Sequence, residues 1–234
     1  FESYAKDWLK LYEKSGVKES TVRVRKHESG HLIEHFKHVK LKNITKKMYQ
    51  DAILSLSEKL AYRTVSGIHT CARMMFKKAV ELDMLRVNPT DYAKLPREAK
   101  TVEAIEREQD VPKYLEKEEL ALLLKAAKDS GLENDFLIFR LLSYTGMRVG
   151  ELCALKWRDI DFKNNTISIS KTYYNPTNRM IKYKLLPPKT GSSKRLIEVE
   201  SELTKDLWRH KKKQAEIQIG NADRYHQGEF VLGK

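Results

Sequence analysis

LLSYTGMRVGELCALKW, residues 141–157, is the stretch whose reading decides the fold. An apolar helix is expected to stop at Thr145-Gly146, because glycine takes the left-handed conformation that ends a helix without a Cβ penalty. A new helix is expected to start at once, with Arg148 in its first turn and Glu151 three residues later on the same face. Leu152 and Leu155 then point the other way, into a core. An arginine fixed at a helix start, beside free backbone N–H groups and the positive end of the dipole, suits a phosphate. A surface Arg–Glu pair beside a glycine cap has the same signature and contributes little. The rest of the chain has to decide between them.

At 234 residues there is room for one large or two small domains, each with its own core. A hydrophobic content of 41% beside 33% charged residues describes a globular chain. No apolar run approaches the roughly 18 residues that span a bilayer, and no signal-peptide pattern is present. Cys71 and Cys153 both sit among apolar helical residues and read as buried free thiols of a reducing compartment. The net charge is +13. Residues 1–98 carry 20 Lys/Arg against 12 Asp/Glu, residues 99–112 carry 2 against 4, and residues 113–234 carry 23 against 16. Two basic blocks separated by an acidic stretch suggest a polyanion gripped from two sides, with nucleic acid the leading candidate.

Outward from the deciding stretch toward the N-terminus, helical spacing recurs four times. Phe1, Tyr4, Ala5, Trp8, Leu11 and Tyr12 mark a first helix over 1–14, closed by Ser15-Gly16. A second follows Ser20-Thr21, with Val22, Ser29, Leu32, Phe36 and Val39 inward. Asn43-Ile44-Thr45 caps a third, from Lys46 to about Lys59. In the fourth, Ala61, Val65, Ile68, Ala72, Met75, Ala79 and Leu82 form a core stripe that ends before Asn88-Pro89. Four helices in so short a length make a small all-α domain over 1–90. The opposite face of the fourth helix carries Arg63, Ser66, Gly67, Thr70, Arg73 and Lys77, which suits a helix laid against a DNA groove. An ordinary solvated face looks much the same. His27, His31, His35 and His38 line one side of the second helix; without an HExxH pattern or a cysteine, they read as a polar face and not as a metal site.

Residues 91–112, with Pro96, the acidic run 103–110 and Val111-Pro112, read as an interdomain linker. The second domain, 113–234, opens with an apolar stripe at Leu120, Leu123, Leu124 and Ala127. Phe136 to Leu142 is apolar nearly all round, which predicts a central helix. Strand patterns follow at 166–170, 180–186 and 195–199, with the cationic, hydroxyl-rich turn PKTGSSKR (188–195) between the last two. A helix from Ser201 to about Ile219 and the start of a strand at Phe230-Val231-Leu232 complete the chain.

The Ala79-Val80 to Asn88-Pro89 pattern, then TGMRVGEL, then strand–turn–strand with KTGSSKR, in this order and spacing, resemble the tyrosine recombinase (phage integrase) family. The resemblance implies a mainly α fold with a small β-sheet (α+β). It would consist of a four-helix SAM-like core-binding domain followed by the N-terminal part of a catalytic domain. It implies site-specific recombination or integration of a phage or mobile element, through a 3′-phosphotyrosyl intermediate and without metal, ATP or other cofactor. Arg148 matches the family's first catalytic arginine, Glu151 its site-ordering acid, and Lys189 its β-turn lysine. Negative charge that builds on the phosphoryl oxygens is stabilised best by such fixed cations, and a mobile lysine suits protonation of the departing 5′ oxygen. Lys194 and Arg195 are expected on backbone phosphate, with Arg63, Thr70, Arg73 and Lys77 on the DNA from the helical domain. The implied partners are duplex DNA of an attachment-site core and further copies in a tetrameric synapse, in the cytoplasm of a bacterial host and with no membrane.

One departure bears on activity. The family's H-x-x-R motif, a further His or Trp, and the nucleophilic tyrosine all follow the lysine. Here His210 is followed by Lys213 and His226 by Glu229, and Tyr173, Tyr174, Tyr183 and Tyr225 all lie before any such motif. The expectation is that the chain is a piece of a longer protein, stops before the second half of the catalytic motif and is inactive alone. The alternative is a sequence-specific DNA-binding protein, related to recombinases but without chemistry. An RNA-binding basic protein accounts for the charge but not for Arg148, Glu151 and Lys189 in order.

Overall fold

The structure, a computed structural model, describes residues 1–97, 101–102, 114–179, 182–188, 193–220 and 229–233. The chain divides into two compact units, Phe1–Asp110 and Val111–Lys234.

The first unit is helical. Helices α1 (Glu2–Lys14), α2 (Glu19–Phe36), α3 (Lys46–Ser57) and α4 (Tyr62–Glu81) follow one another, with a short 3-10 turn at Leu41–Asn43. Thr45 caps α3 by accepting a hydrogen bond from the Met48 N–H, as a short hydroxyl side chain before a helix should. The α4 stripe packs as its spacing predicts, with Val65, Ile68, Ala72, Met75 and Ala79 buried against Leu32, Phe36, Tyr49 and Ile53. The ends of that stripe differ. Ala61 and Leu82 are exposed, because they flank the helix as its N-cap and C-cap and lie outside its turns. Leu11 is exposed too, beyond the buried Ala5 and Trp8 of α1.

Part of the stretch read as linker is tied back onto this unit. Ala93 and Leu95 pack on its core. Gln50 on α3 both donates to the Lys94 carbonyl and accepts from the Lys94 N–H. The Arg97 Nε–H donates to the Tyr62 hydroxyl at 2.7 Å.

The second unit begins with α5 (Lys117–Ser130) and α6 (Asp135–Thr145), which pack together. Leu137 and Leu141 of α6 are buried, but Phe139 and Tyr144 are exposed, so this helix is one-sided and not the all-round buried one expected. On α5, Leu120, Leu124 and Ala127 are half-buried and Leu123 is exposed. Gly146 closes α6 in the left-handed conformation, with φ 59° and its N–H on the Leu142 carbonyl. Helix α7 (Val149–Cys153) follows directly. It is five residues long, and Arg148 is its N-cap instead of standing inside its first turn.

Among the described residues, five short strands come next: β1 (Ile160–Asp161), β2 (Thr166–Ile169), β3 (Thr172–Tyr174), β4 (Lys184–Leu186) and β5 (Arg195–Glu198), before α8 (Ser201–Gly220). They form two antiparallel sheets, ordered β1-β2-β5 and β3-β4. The two strands either side of the PKTGSSKR segment therefore do not pair with each other: β4 lies on β3 and β5 on β2. The pairing of β5 with β2 sets Ile197 opposite Ile167, which is buried in the core with Ile169, Leu203 and Leu207. Phe230 makes a single antiparallel bridge with Lys156, and the Val231 N–H donates to the Leu155 carbonyl.

Candidate functional site

Four of the residues expected on DNA share one face of α4. Arg63, Thr70, Arg73 and Lys77 are all exposed, opposite the buried stripe. A concavity of about 810 Å³ opens beside them, lined by Thr70, Arg73 and Lys77 together with His69, Arg86 and Asn88. In the sequence Asn88 stands out only as part of the Asn-Pro pattern, and His69 and Arg86 carry no signal of their own. His69 is hydrogen-bonded through Nδ1 to the fully buried Tyr49 hydroxyl at 2.8 Å. Its pKa is held below the usual value, first by burial and then by the neighbouring Arg73 cation. That favours a neutral ring beside the cations. Gly67, expected on the outer face, instead lies against Glu28 of α2.

The histidines of α2 do not form a cluster. His27 and His31 have ring centroids 5.0 Å apart, His35 lies a turn further on, and His38 falls beyond the helix end. Among the described residues, no group of three or more His, Cys, Asp or Glu side chains is placed to hold a metal. Cys71 is buried as expected, but Cys153 is exposed, because it ends so short a helix that only Glu151 and Leu152 of α7 reach the interior.

In the second unit, Arg148 and Glu151 meet as their spacing predicts. The Arg148 backbone N–H donates to Glu151 Oε2 at 3.0 Å, and Arg148 Nη1 donates to Oε1 at 3.2 Å. The glutamate side chain is only 7% exposed, whereas that of Arg148 is 78% exposed. Arg195, expected on a DNA phosphate, is placed with Nη2 donating to the same Glu151 Oε2 at 2.9 Å. Burial pushes the Glu151 pKa up, but the Arg195 hydrogen bond, the Arg148 backbone N–H, the Arg195 charge and the Arg148 side-chain hydrogen bond outweigh it, so the net shift is downward. The carboxylate is therefore ionised at neutral pH.

A close approach holds α7 in place: a Cβ on Gly150 would stand 2.5 Å from Thr172 Oγ1 of β3. Lys194 is exposed next to Arg195. Lys189 lies outside the described residues, as does Tyr225. Tyr173 and Tyr183 stack on each other with centroids 5.1 Å apart. The Arg195–Glu151 pairing could not be seen in the sequence, where the two residues stand 44 apart with only a cation-rich turn as signal.

What the geometry offers is an arginine fork held at its base by a buried anion and turned to solvent, which suits an oxyanion. Residues 113–218 match the phage integrase family, and residues 1–57 match the phage integrase N-terminal SAM-like domain. A prophage ps2 probable integrase of Lactococcus lactis is 30% identical over 203 residues, covering 85% of this chain and 51% of that protein. The integrase of Staphylococcus phage L54a is 27% identical, over 88% of this chain and 61% of its own length. Among solved structures, the Tn1549 transposon integrase in complex with circular intermediate DNA superposes with a TM-score of 0.68 at 20% identity, covering 99% of this chain and 69% of that one. A lambda integrase dimer bound to a COC′ core site gives 0.59 at 18% identity, over 80% and 62% of the two chains. The chain spans about half the length of the first curated relatives it matches. With both of its units matched to one family, the chain belongs to the phage integrase (tyrosine recombinase) family.

Proposed function

We propose that this chain is the core-binding domain and the first part of the catalytic domain of a site-specific DNA recombinase, which integrates a phage or mobile element. The domain limits proposed are 1–90 and 113–234, with 91–112 between them and its first residues, to Arg97, held on the helical domain. The observation that carries this reading is the exposed Arg148 fork anchored on the buried Glu151 carboxylate. Arg148 holds a nonbridging oxygen of the scissile phosphate, where charge develops during attack. Glu151 orders the site by hydrogen bonding and transfers no proton. Lys189 protonates the departing 5′ oxygen. The nucleophilic tyrosine and the second half of the motif are supplied by sequence beyond these residues, so the chain by itself neither cleaves DNA nor becomes attached to it.

The partner is duplex DNA of an attachment-site core. It is contacted by Arg63, Thr70, Arg73 and Lys77 from the first unit and by Lys194 from the second, with four copies assembling on the DNA. The relatives' integrase names and the DNA in the similar solved structures support this partner. Among the described residues no helix is long and apolar enough to cross a membrane, and a bacterial cytoplasm is the proposed setting.

The test has two parts. This chain should bind duplex DNA with an affinity that falls steeply between roughly 50 and 200 mM salt, since each phosphate neutralised releases counterion. Full-length protein should be trapped covalently on a nicked suicide substrate, and this chain should not. Binding without trapping by the full-length protein would favour the second reading, a recombinase relative that only binds.

A further inference from the structure

Two guanidinium groups share one buried carboxylate in the second unit. Glu151 Oε2 accepts from Arg195 Nη2 and from the Arg148 backbone N–H, while Oε1 accepts from Arg148 Nη1. The two arginines are not equivalent. The Arg195 side chain is 31% exposed and its bond is the shorter, at 2.9 Å; that of Arg148 is 78% exposed, with a 3.2 Å bond. A pair screened by water contributes little, so most of the compensation that a buried carboxylate needs comes from Arg195. Of the influences that keep Glu151 ionised against burial, the Arg195 hydrogen bond is the largest.

We propose that Arg195 is a positioning residue: it satisfies Glu151, so that Arg148 is tethered by a single side-chain N–H and keeps the rest of its fork for a phosphate oxygen. This rests on the recombinase reading above. A guanidinium has five N–H donors in one plane, and a lone carboxylate beside it favours the bidentate pairing that uses two of them. With Arg195 gone, Glu151 would have only Arg148 to neutralise it. Its fork would turn onto the carboxylate with the donors a phosphate needs. Arg195 is placed for the task by the sheet. It opens β5, paired across from Ile169 of β2, while Glu151 is fixed from the other side by α7, packed through Gly150 against Thr172. The side chain expected to grip backbone phosphate is thereby assigned to the interior of the site.

The experiment uses full-length protein and the substitutions Arg195→Gln, Arg195→Lys and Glu151→Gln, each first checked for a cooperative melt. Duplex affinity is measured by titration, and cleavage by single turnover at saturating DNA. Arg195→Gln should weaken affinity no more than Arg148→Ala does, and should slow cleavage by about ten- to a hundredfold, the scale of a misplaced catalytic group. Arg195→Lys, which keeps a cation beside Glu151, should recover part of the loss. Adding Arg195→Gln to Glu151→Gln should cost nothing more, since the carboxylate it serves is gone. Weakened affinity with the saturated rate preserved would overturn the proposal and return Arg195 to the DNA backbone, and so would fully additive losses. Failure of the wild-type protein to cleave at all would sink the recombinase reading instead. Binding then decides the positioning role: Arg148→Ala should weaken DNA binding in the native background and clearly less in Arg195→Gln. An equal loss in both backgrounds would overturn it.

Discussion

Gly67 of α4 lies directly beneath the Glu28 carboxylate of α2: a Cβ at residue 67 would stand 2.5 Å from Glu28 Oε1. Glu28 is 8% exposed and is ion-paired with Arg25 one turn back along its own helix. A buried charge pair at the junction of two helices tolerates little displacement, because a carboxylate moved off its arginine in the interior has no water to turn to.

That contact sets the sign of a substitution that helix propensity alone would get wrong. In a helix interior, Gly→Ala is worth up to about 1 kcal/mol of stabilisation. At residue 67 the methyl must displace Glu28 Oε1, while Oε2 of the same carboxylate is the oxygen paired with Arg25; breaking a buried pair outright costs about 3 kcal/mol or more. Partial relaxation of the glutamate chain leaves Gly67→Ala destabilised by about 1 to 2 kcal/mol. Urea unfolding of the chain, followed by helical circular dichroism, measures it. A variant as stable as the native chain would show that Glu28 moves freely.

The two cysteines should separate in reactivity. Cys71 is buried and burial pushes its thiol up to about 12, so it presents almost no thiolate at neutral pH. Cys153 is exposed, with a thiol raised above its usual value by the burial it retains. At pH 8 a chromogenic disulfide should label Cys153 in the folded chain and reach Cys71 only on unfolding. Labelling of both at one rate in the folded state would contradict the packing of α4 on α2.

Glu151 should leave a mark on acid stability. Its folded pKa lies below the usual carboxylate value, so the ionised, paired form contributes stability above the unfolded value of about 4.3. That contribution is lost as pH falls through the folded pKa. Glu151→Gln removes the titration, so its stability should fall less steeply than the native chain's between about pH 5 and pH 3. Parallel curves for the two proteins would mean that Arg148 and Arg195 do not hold this carboxylate in solution.

What could be read from the sequence followed from periodicity and from local stereochemistry. Val65, Ile68, Ala72, Met75 and Ala79 announce a buried face because a helix returns to it every three or four residues, and all five are buried. Gly146 announces a helix stop, and it has the left-handed φ that the stop requires. The misses arise where a partner is distant or an element very short. Glu28 is buried although charged, because Arg25 and a glycine across the helix pair make room for it. The strands are two to four residues long, too short for alternation to specify a partner, so the pairing of β5 with β2 and not β4 was not legible. Arg195 read as one more cation in a basic turn, since nothing local shows that Glu151 lies beside it.

Arg148 and Lys189 should be separable in the full-length protein by the chemistry of the leaving group. Arg148 is held at its base by Glu151 and exposes a planar fork, so it contacts the phosphate throughout the reaction in the proposed mechanism. Arg148→Lys keeps the charge but loses two-point contact, and cleavage should fall by about a hundredfold or more, the scale of losing one oxyanion donor. In the same proposed mechanism, Lys189 instead delivers a proton to the departing 5′ oxygen. Replacing that bridging oxygen with sulfur should restore cleavage by Lys189→Ala, because a thiolate leaves without being protonated. Arg148→Ala should gain nothing comparable, since charge still develops on the nonbridging oxygens it would have held. Single-turnover cleavage of the oxygen and sulfur substrates by both variants makes the comparison. Equal rescue of the two, or rescue of Arg148→Ala alone, would mean that the general acid is not Lys189.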